Sequence, residues 1–232
     1  MQRVRELICQ LEVAHPSDDF FEGALANVQN SRQARAYYSS YDRALGELDH
    51  ASFEVLSRKA INHFRDHRAG QLKQGFFHQL NEAFAYRHLL RCGYTDVTLL
   101  GEGKTSQPDI SYKDGAKQLF CEVKTIGISE DEIGRRGTNR FFTVNYSRLS
   151  EGFLNKLNHD LLRAQAQIHA LGPHGLVYIV VTFDDFTMTY YPQHRQQLDE
   201  FLRSHTVKNV YIKAGIFGNR GIATMRSSRR DV

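Results

Sequence analysis

The sequence predicts an α/β fold: a mixed sheet flanked by helices, preceded by a helical extension. Three observations lead there. Leu176-Val177-Tyr178-Ile179-Val180-Val181 is continuously apolar, as a strand buried on both faces must be. Asp114-Gly115 separates two short strand-like runs and signals a hairpin. From residue 73 onward the elements run helix, three strands, helix, strand, helix, strand. The first three strands are closely connected and the later ones are reached through helices, which suits a mixed sheet.

Residues 1–14 carry Val4, Leu7, Ile8 and Leu11 at helical spacing. Pro16-Ser17-Asp18-Asp19 breaks that helix and offers a cap to the next. From Phe20 to about Asp49 the chain is polar and aromatic, with Tyr37, Tyr38 and Tyr41 beside Arg32, Arg35 and Arg43. Such interleaving suits a nucleic-acid surface, but a helical arm packing its tyrosines on the main domain is the preferred expectation. Residues 51–68 form another amphipathic helix.

Helix 73–92 is more informative. Phe76, Phe77, Leu80, Ala83, Phe84 and Leu90 fall on one broad side. Glu82 falls opposite, together with Ala85 and Leu89, so the helix looks covered on both flanks and Glu82 need not be a solvated charge. Gly93 suits the helix end. A strand at 96–100 and a loop, Gly101-Glu102-Gly103-Lys104-Thr105-Ser106, lead to Pro108-Asp109-Ile110 and the hairpin. Its second strand, Leu119 to Ile126, is apolar except for Glu122 and Lys124, which alternation places on one face. Charges there are costly to bury unless paired or bound to a metal. Residues 127–149 read as a polar loop with Arg135, Arg136, Arg140 and Arg148. Helix 151–171 ends at Gly172-Pro173, and helix 193–204 and strand 208–213 follow. Arg220, Arg226, Arg229 and Arg230 mark a basic tail with a mobile end. The expected division is an extension at 1–72, a core at 73–214 and a tail at 215–232.

Composition narrows the class. A chain of 232 residues, 41% hydrophobic and 24% charged, has the makeup of a folded soluble protein. A formal charge of +4 permits an anionic partner without demanding one. Cys9, Cys92 and Cys121 form no CxxC pair, which argues against a disulfide framework or zinc–cysteine site and fits a reducing cytosol. The longest apolar run is far too short to span a membrane, and no signal-peptide core follows Met1. The expected setting is cytoplasmic, with no membrane partner.

Several motifs fail on inspection. Gly103-Lys104-Thr105 matches the end of a phosphate-binding loop, but Thr98 stands where that loop needs glycine and no helix follows. His63 and His67 are four apart on a helix, yet Phe64 occupies the position a zinc protease gives to glutamate; a surface pair is the expectation. No Gly-x-Ser-x-Gly elbow is present. Glu102-Gly103-Lys104 repeats the acid-x-lysine pattern in a glycine-flanked loop, where its geometry is not fixed.

Pro108-Asp109 followed by Glu122-Val123-Lys124 resembles the PD-(D/E)xK, or restriction-endonuclease-like, nuclease superfamily. The resemblance covers residues 73–183, including the helix-strand-strand-strand-helix-strand order. Glu82 and Gly93 match the glutamate and glycine on the first core helix of its resolvase-like branch. It implies a restriction-endonuclease-like core and hydrolysis of DNA phosphodiester bonds by an endonuclease of defence, repair or recombination, with RNA as an open alternative polymer. It implies Mg²⁺ or Mn²⁺ held by Asp109, Glu122, the Val123 carbonyl and Glu82. Hard oxygen ligands suit those ions. Lys124 would orient the attacking water and stabilise charge on the phosphate. Arg135, Arg136 and Arg140, with Lys156 and Gln165 on helix 151–171, are the expected nucleic-acid contacts, and Gln167 shares that helix. Double-strand cutting by this fold commonly pairs two sites, so a homodimer is consistent with it. Two other classes compete: a nucleic-acid-binding module that keeps the fold without cleaving, and an interaction protein in which these charges form a buried network. The bland alternatives for single residues are an exposed Glu122–Lys124 salt bridge, a turn-capping Asp109 and a solvated Glu82.

Overall fold

The computed structural model describes residues 1–66, 73–103, 107–127, 147–182, 190–204, 209–215 and 220–224. Over them the protein is α/β. It divides into two compact units, Met1–Thr105 with Asp109–Gln118, and Ser106–Pro108 with Leu119–Val232. The division falls inside the hairpin rather than at residue 72, so helix 73–92 belongs with the N-terminal helices.

The first unit contains α1 (Gln2–Ala14), α2 (Ala24–Asn30), α3 (Arg32–Leu45), α4 (His50–Asn62), α5 (Gln74–Arg91), β1 (Thr95–Leu99) and β2 (Ile110–Asp114). Val4, Leu7, Ile8 and Leu11 of α1 are buried, as their spacing predicts. The Asp42 side chain of α3 accepts from Val4 N at 3.0 Å and satisfies an otherwise orphaned donor in the first turn of α1. Asp49 caps α4 by accepting from Ser52 N at 2.7 Å. Tyr37 and Tyr41 pack against Phe77 of α5, and the Tyr41 hydroxyl donates to Asn81 Oδ1 at 3.1 Å. The tyrosines therefore pack as an arm on α5. That helix is covered on both flanks: Asn81 through Tyr86 are all buried in succession. It ends at Gly93, whose φ of 81° is a left-handed value that glycine adopts without strain.

β1 pairs antiparallel with β2. At the end of β2, Gly115 has a φ of 60°, which suits the first central position of a two-residue II′ turn. β3 (Lys117–Ile126) leaves that turn and runs into the second unit.

The second unit holds most of β3, then α6 (Glu151–His169), β4 (Gly175–Thr182), α7 (Tyr191–Ser204), β5 (Val210–Gly215) and β6 (Arg220–Thr224). β3, β4 and β5 are parallel neighbours, and β6 returns antiparallel to β5. This is a mixed sheet with its helices in the crossovers. Val177, Ile179 and Val181 of β4 share one core with Leu157, Leu161 and Ile168 of α6 and Leu198 and Leu202 of α7. Tyr178 and Val180, on the other face of β4, are also buried, which explains the unbroken apolar run. β6 corrects the sequence-based expectation: residues 220–224 belong to the sheet rather than to a tail. Their pairing with β5 is a tertiary contact that five short residues do not announce.

Gly175 pairs with Phe120 at the start of β4. A Cβ there would lie 2.1 Å from the Phe120 carbonyl oxygen and 2.8 Å from Ile168 Cγ2. Gly175→Ala should lose about 1–3 kcal/mol of stability to that overlap. Gly101→Ala, whose Cβ would meet nothing within 4 Å, should change stability by less than about 0.5 kcal/mol. Urea unfolding of both variants checks this; equal stabilities would contradict the β3–β4 register.

Candidate active site

Among the described residues, each unit gathers a group of charged side chains around a buried glutamate. In the first, the local hydrogen bonding explains the geometry. Ser52 and Lys59 lie seven residues apart on α4, hence on one face. The Ser52 hydroxyl accepts from Leu99 N at 3.2 Å, holding α4 against β1. The next residue, Leu100, donates its N–H to the Asp109 carbonyl at 2.8 Å and fixes Asp109 at the head of β2. Lys59 is thereby carried to Asp109 and to Glu82 of the buried helix α5. Its ammonium donates to Glu82 Oε1 at 2.5 Å and to Asp109 Oδ1 at 3.3 Å.

Glu82 is only 4% exposed. Its Oε2 is buried and meets no donor among the described residues, while its carboxyl lies within hydrogen-bonding reach of the Asp109 carboxyl. Burial, then repulsion from Asp109, push its carboxyl well above the usual range against the pull of Lys59. Burial opposes the charge on Lys59 as well, but Glu82 and Asp109 more than offset it and hold the ammonium above its ordinary value. Two carboxyl groups thus face one ammonium in a dry place, where ionising both would leave net negative charge. A shared proton or a further cation would relieve it.

His63, the residue that caps the C-terminus of α4, extends the group. Its ring bonds Asp66 Oδ2 at 2.5 Å through Nδ1 and also Glu102 Oε1 through Nε2. His67, expected as its partner, lies outside the described residues.

In the second unit, Glu122 and Lys124 share one face of β3, as alternation predicts, with Val123 between them. Lys124 Nζ donates to Glu122 Oε1 at 2.6 Å and to Gln167 Oε1 of α6 at 2.7 Å. Glu122 is 3% exposed, so this is not a pair on an open sheet face. Gln167 makes this contact rather than Gln165, which is about 200° away around the helix. Lys156 is exposed and pairs with Asp160 at 2.9 Å. Arg135, Arg136 and Arg140 lie outside the described residues, and Arg148 is exposed.

Sequence reasoning missed Lys59 altogether. A signal was present: Ser52, Leu56 and Lys59 form one buried stripe of α4, and a lysine on the buried stripe of an amphipathic helix needs a partner.

The oxygen donors fit a hard divalent cation, and the unpaired Glu82 Oε2 is the observation that supports the fit. Among the described residues no group of three or more His, Cys, Asp or Glu is gathered as a metal cage. Nor, among them, is any helix long and apolar enough to cross a membrane.

The His63 contacts set a pH dependence. Burial opposes its charge, but hydrogen bonds to Asp66 and Glu102 more than offset this and raise it above 6.5. Glu102 is lowered below 4.5, chiefly by its hydrogen bond to His63. The stabilisation from His63 is complete below 6.5 and is lost as pH rises through the raised folded value. That from Glu102 is complete above 4.5 and is lost as pH falls through the lowered folded value. The melting temperature of His63→Gln should therefore trail wild type most between pH 4.5 and 6.5, and the gap should shrink in mildly alkaline buffer. Because these groups are partly exposed, the effect should stay below about 1 kcal/mol. Thermal melts across pH test this, and a gap undiminished at alkaline pH would contradict it.

Comparisons with protein-family models, with curated proteins and with solved structures each gave no match, so the functional conclusion rests on the chemistry of these side chains.

Proposed function

We propose that the protein is a divalent-metal-dependent nuclease that hydrolyses DNA phosphodiester bonds, built on a restriction-endonuclease-like core. The observation that carries this is the buried Glu122–Lys124 pair on β3, whose lysine is held by a second acceptor, Gln167. A solvated salt bridge does not require such burial. Asp109 at the head of β2 supplies the other half of the expected motif, and Glu82 adds an acid with an unpaired oxygen.

The resemblance assigns Asp109, Glu82, Glu122 and the Val123 carbonyl as the ligands that would hold Mg²⁺ or Mn²⁺. When bound, such an ion polarises the scissile phosphate and lowers the pKa of water. Lys124 keeps a cationic donor where negative charge builds on the phosphoryl oxygens. Glu122 and Gln167 hold that ammonium in place, so little reorganisation is needed when charge develops. The hydrolysis forms one phosphorus–oxygen bond to water and breaks the one to the leaving sugar oxygen, which takes up a proton. Arg135, Arg136 and Arg140, with Lys156 and Gln165, would contact flanking phosphates and make affinity salt-dependent. We place the activity among endonucleases of defence, repair or recombination in the cytoplasm, with a homodimer as the form that cuts both strands.

A cleavage screen over duplex, single-stranded and branched DNA and RNA tests this. Wild type should cut DNA with Mg²⁺ or Mn²⁺ and stop in EDTA. Asp109→Ala, Glu122→Ala and Lys124→Ala should each lose roughly 100-fold or more. Gln167→Leu should lose about tenfold, because Lys124 keeps its charge but not its anchor. Variants that cut like wild type would refute the site. Salt-sensitive binding without any cleavage would establish the non-cleaving module instead.

A further inference from the structure

The Lys59 ammonium occupies the place where a metal would be expected to act. It comes from α4, outside the elements that carry the nuclease-like motif, and its side chain is only 8% exposed. Its two acceptors, Glu82 Oε1 and Asp109 Oδ1, belong to the two acids of this unit proposed as metal ligands. We infer that Lys59 is the resident counter-ion of the metal-free site, and that a divalent cation binding Glu82 and Asp109 must displace it. This rests on the metal site proposed above.

The reasoning is geometric. A Mg²⁺ ion binds carboxylate oxygen at about 2.1 Å. Nζ lies 2.5 Å from Glu82 Oε1, so an ion on that oxygen could stand no farther from Nζ than the sum of the two lengths, and an ion on the unpaired Oε2 of the same carboxylate only one carboxylate width farther. Two positive charges that close in a water-poor interior repel strongly. Burial keeps water from screening them. The displaced ammonium has somewhere to go. The Glu102 carboxylate already lies within electrostatic reach of Lys59, is 44% exposed, and is held to the same helix by His63. Transfer to Glu102 moves the lysine toward solvent and leaves Glu82 and Asp109 to the metal.

Two consequences follow for the site. Without metal, Lys59 keeps two close carboxylates from repelling each other, so the acids stay in position for loading. A monovalent cation would exchange one unit charge for another and gain little, whereas a divalent ion adds net charge to an electronegative pair. The lysine therefore sets a threshold on metal affinity and a preference for divalent ions.

The test is calorimetric titration of Mn²⁺ into the full chain without nucleic acid, for wild type, Lys59→Met and Lys59→Gln, the second guarding against one variant failing to fold. With the competitor removed, both variants should bind Mn²⁺ about tenfold or more tightly than wild type. Lys59→Arg, which keeps the charge, should not gain. As a second readout, Mn²⁺ should raise the melting temperature of Lys59→Met more than that of wild type. Glu82→Gln and Asp109→Asn locate the ion, and should remove binding in either background. Binding that Asp109→Asn removes but Lys59→Met and Lys59→Gln fail to tighten would overturn the inference and leave the nuclease proposal standing. Absent binding, or binding indifferent to both Glu82→Gln and Asp109→Asn, would overturn the metal site at these acids, and this inference with it.

Discussion

Charge taken out of water has to be paired, and in the first unit that constraint converges on the Lys59 ammonium. It joins α4, α5 and the residue that opens β2. Ser52, Leu99, Leu100 and Asp109 form the hydrogen-bonded route that brings α4 to β2. Truncating one member of such a buried group leaves the others uncompensated, at a cost of about 3–5 kcal/mol. Replacing all of it with well-packed apolar side chains can be neutral. Stability alone therefore does not account for two acids sharing one lysine, with one of their oxygens left unpaired.

The second unit meets the same constraint differently. Glu122 is buried on β3, and Lys124, two residues on, supplies its counter-charge. β4 pairs with β3 in parallel, and the α6 crossover between them brings Gln167 to the lysine. The apolar core beneath β4, α6 and α7 gives this polar arrangement a rigid base. Parallel strands need such crossovers, so the topology that buries Val177, Ile179 and Val181 also delivers the second acceptor for Lys124.

Much of the fold was legible because local signals agreed with the tertiary result. The covered flanks of helix 73–92 were readable from Ala85 and Leu89 opposite Phe76 and Leu80, and Glu82 is indeed buried among them. The Asp114-Gly115 turn and the face shared by Glu122 and Lys124 follow from backbone rules that act over a few residues. What escaped depends on partners far along the chain. Lys59 went unread within an amphipathic helix, since its acceptors are 23 and 50 residues away. Arg220–Thr224 forms a strand only because β5 offers an edge. Choosing between Gln165 and Gln167 required the rotation of α6 about its axis.

The central proposal is that Asp109 and Glu122 serve a single hydrolytic step. A double-mutant cycle in a Mn²⁺-dependent cleavage assay tests it most directly. Groups that act as a unit give strongly non-additive losses. The account predicts that Asp109→Ala/Glu122→Ala will be about as inactive as either single variant. Losses that multiply, or metal-dependent cutting that survives the double substitution, would contradict it.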